Sequence, residues 1–106
     1  MSIKQRISKT TGISDQPTQT FEDTSFVTGD SPVTLDCNVA LGRNAIEGYV
    51  ANDGLGSFTV AFSLDGTSYG DENTLKKSEI IEFSNWNIDS IRITWIADSA
   101  YRVSVV

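Results

Sequence analysis

Short runs of strict apolar–polar alternation, separated by turn residues, are the feature that most limits the folds open to this chain. Ile91, Ile93 and Trp95 alternate with Arg92 and Thr94. Tyr101, Val103 and Val105 alternate in the same way with Arg102 and Ser104. The cleanest run lies in residues 57–64, where Phe58, Val60, Phe62 and Leu64 face one way and small residues the other. A period of two puts successive side chains on opposite faces, so each run reads as a half-buried strand. Read as a hairpin, residues 90–106 also have a preferred register. A two-residue loop at Asp98-Ser99 would set Trp95 against Arg102. A three-residue loop, residues 98–100, sets Trp95 against Val103 and Ile93 against Val105. Only the odd loop keeps one face apolar, so that hairpin is the expectation.

The rest of the chain fits the same class. Strand signals begin near Thr20, with Phe21, Phe26 and Val27 as anchors and residues 28–32 as a turn cluster. Residues 33–37 read as a short strand, with Cys37 on the face of Val33 and Leu35. Residues 38–44 read as a loop. Residues 45–51 follow as a strand, with Ile46 and Val50 on one face and Glu47 and Tyr49 on the other. Asn52-Asp53-Gly54-Leu55-Gly56 is a hairpin signal. Asp65-Gly66 reads as a tight turn, residues 67–73 as a polar loop and residues 75–79 as an exposed turn. Residues 79–84 form a further strand with Ile81 and Phe83 inward, linked by residues 85–89 to the last hairpin. About seven or eight strands with turns roughly every 8–12 residues predict an all-β fold, a small antiparallel β-sandwich or jelly roll. No helical period is sustained. At 106 residues the chain is one domain, with a core that needs neither disulfide nor metal. The expected division is an extended N-terminal arm, residues 1–19, and a sandwich, residues 20–106.

Charge separates the two parts. Residues 1–14 carry Lys4, Arg6 and Lys9 and no acid, so they hold +3, and the other 92 residues hold −9 of the −6 total. An acidic body argues against a nucleic-acid partner, because that affinity comes largely from neutralising phosphates. The arm has only Ile3, Ile7 and Ile13 as large apolar groups, too few to fold alone. Ile3, Lys4, Arg6, Ile7, Lys9 and Ile13 are therefore the candidate partner-binding residues. The alternative is a solubilising tail. No apolar run approaches the ~20 residues of a membrane span. The start, Met-Ser-Ile-Lys-Gln-Arg, has no signal-peptide apolar region, so synthesis in the cytoplasm is expected.

The inventory for catalysis is thin. There is no histidine and a single cysteine, which excludes Ser-His-Asp, Cys-His and ordinary zinc arrangements. Cys37 reads as a small core residue. Asp65, Asp71 and Glu72 share one loop and could in principle do glycoside chemistry, but turns recruit Asp for backbone reasons. The alternating acidic ladder of a calcium loop is absent. The expectation is a protein that is not an enzyme and takes no metal or cofactor. Trp86, in Asn-Trp-Asn, is either a lid over one end of the sandwich or, with Tyr69 and nearby acids, a ligand-binding site. Trp95 is core by its period.

Phe62-Ser-Leu-Asp-Gly-Thr-Ser-Tyr69, with Ile91-Arg-Ile and Tyr101-Arg-Val-Ser-Val, resembles small β-sandwich accessory proteins of tailed-bacteriophage virions, the head decoration or cement class. That resemblance implies a non-catalytic structural role and attachment to the major capsid protein or other virion subunits. It further implies a homo-oligomer, with a trimer favoured, and a virion location after synthesis in the host cytoplasm. The Ser-Leu-Asp-Gly turn also resembles discoidin-like carbohydrate-binding modules, although this chain is too short for that whole fold and lacks paired cysteines. The rival function is thus a carbohydrate- or receptor-binding module of a phage tail or fibre, using Tyr69 and Trp86. A domain of an unrelated host protein is the remaining alternative.

Overall fold

The computed structural model describes residues 18–106. Along them run β1 (Gln19–Phe26), β2 (Val33–Asp36), α1 (Cys37–Leu41), β3 (Ala45–Asn52), β4 (Phe58–Ser63), β5 (Asn73–Leu75), β6 (Ile80–Ile88), β7 (Ser90–Trp95) and β8 (Ser99–Val105). The strands form two four-stranded antiparallel sheets, ordered β1-β8-β3-β6 and β2-β7-β4-β5. Those orders are the ones produced when two Greek keys wrap into an eight-stranded jelly roll. The all-β sandwich read from the alternation is the observed fold.

The two inner faces meet in one core. Phe26 from β1, Phe58 from β4 and Tyr101 from β8 pack edge to face, with ring centroids 5.5–6.4 Å apart. Val50, Val60, Ile91, Ile93 and Val103 fill the space beside them and are fully buried. Trp95 is only partly buried and packs against the edge of this cluster. Its indole N–H donates to Asp98 at 2.9 Å.

The hairpins expected from the turn residues are not formed. β7 pairs with β2 and β4, whereas β8 pairs with β1 and β3. Trp95 therefore lies opposite Phe58, and Ile93 opposite Val60 and Val33, not opposite residues of β8. Residues 96–98 arch from one sheet to the other. The stretch around Asn52-Asp53-Gly54 is a second such arch, from β3 to β4. The two arches lie on each other: the Asp53 amide donates to the Ala100 carbonyl at 3.0 Å, and Ala97 to Ser57 at 3.2 Å. A Cβ at Gly54 would lie 2.5 Å from the Ser99 hydroxyl. Glycine is needed there for close approach of two backbones, not for a hairpin turn.

Local chemistry explains the other departures. Residues 37–41 are helical, where the sequence reads Cys37 as strand and 38–41 as loop, because Asp36 caps the first turn by accepting from the Val39 amide at 2.9 Å. Gly42, at φ 77°, ends the helix in the left-handed region. Leu75 closes β5 opposite Phe58 and is buried, so the exposed turn starts after it. Ile46 is exposed, not inward with Val50, because the pairing of β3 with β6 slips between Ala45 and Glu47.

Cys37 is fully buried at the start of α1. Burial, reinforced by the Asp36 and Asp89 carboxylates, pushes its thiol up to about 11. Only the thiolate reacts quickly. The native protein at pH 8 should therefore label slowly with a maleimide, and the urea-unfolded chain rapidly. Stoichiometric labelling of native protein within seconds would show that the thiol is accessible.

Candidate functional site

One end of the sandwich carries an open pocket between β4 and β6, with a cavity volume of about 770 Å³. Its β6 wall is built by a bulge. Glu47 lies opposite Ser84, but the next pair is Ala45 with Ile88, so β6 has surplus residues in Asn85-Trp86-Asn87. Asn85 absorbs the turn at φ 59°, a region Asn tolerates better than most residues. A bulge of this kind re-aims side chains, and here it leaves Trp86 half exposed, at 53%. The indole is held edge to face by Phe62 at 5.9 Å and lies against Phe83 at 6.4 Å.

The opposite wall is the loop after β4. Asp65 organises it: one carboxylate oxygen accepts from the Thr67 and Ser68 amides at 2.8 Å each and from the Ser63 hydroxyl at 3.1 Å. Gly66, at φ 84°, takes the left-handed step. The Gly70 amide then donates to the Phe62 carbonyl at 3.0 Å, which lays Tyr69 beside the end of β4. The Arg92 guanidinium sits 4.4 Å from the Tyr69 ring centroid and pairs with Glu72 at 2.6 Å. Asn44 ties the two walls, donating to the carbonyls of Leu64 and Asn87 at 3.2 and 3.4 Å.

The hydrogen bonds from Ser68 and Thr67 hold the Asp65 carboxyl down at about 2. Glu72 is also lowered, first by the Thr59 hydroxyl and then by Arg92. Both carboxylates are thus committed to holding the loop, which leaves Asp71 alone of the three acids suggested for glycoside chemistry. Among the described residues no group of three His, Cys, Asp or Glu side chains could hold a metal ion.

A pH dependence follows from Asp65. Its folded pKa lies below its unfolded value, so its stabilising effect is complete above about pH 4. The effect is lost as pH falls toward 2. Carbon-detected NMR of the Asp65 carboxyl should give a midpoint near 2, and the Thr67 and Ser68 amides should shift with it. A midpoint near 4 would mean that the clamp is not formed.

Tyr69 and Trp86, seventeen positions apart in sequence, line this single pocket. Phe62 and Leu64 also line it, although their alternation pointed to the core; Leu64 is 61% exposed. The signal that could have revealed the wall was Asn-Trp-Asn, an aromatic between two amides where a strand would otherwise continue. Ile3, Lys4, Arg6, Ile7, Lys9 and Ile13 lie outside the described residues. No family model, curated protein or solved structure matches the chain.

Proposed function

We propose that this protein is a non-enzymatic structural component of a virion, of the capsid decoration or cement kind. In this reading it attaches to a lattice of major capsid protein through its N-terminal arm and one end of its sandwich. The observation that carries the reading is the placement of the arm's root on a jelly roll, an architecture that viral capsid domains use. Fold alone does not assign function, so the placement matters. β1 is an edge strand, and Gln19 heads a row of paired residues across its sheet: Gln19, Val105, Gly48, Phe83. The basic segment is therefore joined to the domain through an edge strand, at one end of the sandwich.

Seventeen residues can span up to about 55–60 Å when extended, more than the 43 Å long axis of the domain. The segment can thus reach a neighbouring subunit. Its Lys4, Arg6 and Lys9 would meet acidic surface there, and Ile3, Ile7 and Ile13 would supply apolar anchors. Docking must offset roughly 1–2 kcal/mol of backbone entropy per ordered residue, which favours a repetitive partner that offers many contacts. A homotrimer on the lattice meets that need.

Deleting residues 1–17 should leave the sandwich folded, with stability within about 0.5 kcal/mol of the full chain. The same deletion should weaken self-association or co-pelleting with capsid shells at least tenfold, about 1.4 kcal/mol. Salt above 0.1 M should weaken the intact protein too, because exposed charges are screened over about 10 Å. Sedimentation and co-pelleting of both forms decide the matter. Equal binding by the truncated protein would remove the arm from the mechanism.

A further inference from the structure

We infer that the pocket between β4 and β6 is a binding site for a neutral, hydroxyl-rich saccharide, with one ring face stacked on Trp86. This goes beyond lattice attachment and does not depend on it. The first support is the way Trp86 is presented. The bulge of β6 and the positive φ of Asn85 turn the indole away from the core, which Phe83 and Ile88 of the same strand reach. The ring is nevertheless fixed, with Phe62 at 5.9 Å and Phe83 at 6.4 Å behind it. A half-exposed indole braced by two rings is an apolar platform with less conformational freedom to lose than a free side chain, the kind of anchor that binding sites favour. The apolar C–H face of a pyranose suits such a platform.

The second support is the chemistry around it. Asn85 and Asn87 flank Trp86 in sequence, and Ser68 and Tyr69 line the same pocket. Amides and hydroxyls both donate and accept, as sugar hydroxyls do. The Asn73 amide nitrogen is spent on the Val60 and Asp71 carbonyls, which leaves its oxygen as an acceptor. Charge sets the class of sugar. The lining includes Asp65 and Asp71 and no lysine or arginine, so sialylated, uronic and sulfated sugars are disfavoured. A cationic peptide, such as this chain's own arm, fits less well, since Asp65 is already clamped by its loop. The volume of about 770 Å³ lies within the ~300–1,000 Å³ of small-ligand sites.

The test is an array of neutral, N-acetylated, sialylated and sulfated oligosaccharides probed with the full chain, followed by titration of a neutral hit against tryptophan fluorescence. Neutral glycans should bind and the anionic ones should not. Trp86→Ala should lose at least tenfold in affinity while the protein still folds and melts cooperatively, at a temperature lowered by the loss of the Phe62 and Phe83 contacts. Asn85→Gly keeps the left-handed step and removes one amide, so it should lose between about two- and tenfold, the range of one hydrogen bond. Binding confined to anionic glycans, no binding to any glycan, or full affinity in Trp86→Ala would overturn the assignment. So would quenching of Trp86 by a synthetic peptide of residues 1–17 in the absence of any sugar response.

Discussion

Phe26→Ala should cost about 3–5 kcal/mol of stability, the range for deleting a large buried aromatic. Phe26 is fully buried and meets Tyr101 at 5.5 Å and Phe58 at 6.2 Å, both edge to face. It is the point where β1 is fastened to both sheets. Truncation therefore leaves a cavity and also removes ring contacts worth about 0.5–1.5 kcal/mol each beyond burial. In a domain whose total stability is of order 5–15 kcal/mol, that is a large share. The melting temperature should drop by at least about 12 °C, at roughly 4–8 °C per kcal/mol for a domain near this size. Val27→Ala, at the next position, which is 37% exposed, should cost far less, about 1 kcal/mol or below. Urea melts of both variants would check the pair, and equal small losses would contradict the packing described. Trp95→Ala should fall below Phe26→Ala, because Trp95 is only partly buried.

Asn52→Leu is the second large effect, and it arises from polar groups. Asn52 is 3% exposed, and each of its two side-chain polar atoms is used twice. Its nitrogen donates to the Gly56 carbonyl at 2.8 Å and to the Leu75 carbonyl at 2.9 Å. Its oxygen accepts from the Gly54 amide at 2.9 Å and from the Ser99 hydroxyl at 2.8 Å. One side chain thus ties the β3–β4 arch to the end of β5 and the start of β8. Leucine has similar volume and satisfies none of the four groups. Each buried group left without a partner costs about 1–3 kcal/mol, and some will reach water. A loss of roughly 3–5 kcal/mol is expected, measured by denaturant melt. Ser99→Ala breaks only one of the four bonds and should cost about 1 kcal/mol. If the two variants lose the same amount, the network does not act as a unit.

Asn52 also shows what the sequence could and could not reveal. As part of Asn-Asp-Gly it carried the signature of a hairpin turn, and it instead braces an arch between sheets. Period-two alternation reports which face of a strand is buried. It does not report which strand lies alongside. Val103 and Ile93 do face inward as the alternation implies, yet the strands beside them are not the ones a hairpin would supply: Ile93 pairs with Val33 and Val60, and Val103 with Phe21 and Val50. Phe62 reads as core and Trp86 as loop, because a bulge has no periodic signature. The Tyr69–Trp86 pocket was legible only as two candidate residues. The clamp by Asp65 that brings them together depends on backbone amides, which composition does not mark.

The strand order has a consequence for how the molecule comes into being. The two central strands of the first sheet are β8 and β3, and β8 is made from residues 99–105. β1 leaves the ribosome long before the strand it must pair with. Among the strands of the described residues, only β4 and β5 are neighbours both along the chain and within a sheet. Almost nothing can zip locally, and such topologies fold in milliseconds to seconds. During that interval β1 is an unpaired strand, open to edge-to-edge pairing with other nascent copies. Glu22 and Asp23, adjacent in the middle of β1, put two negative charges on each waiting strand and so repel the encounter until β8 arrives.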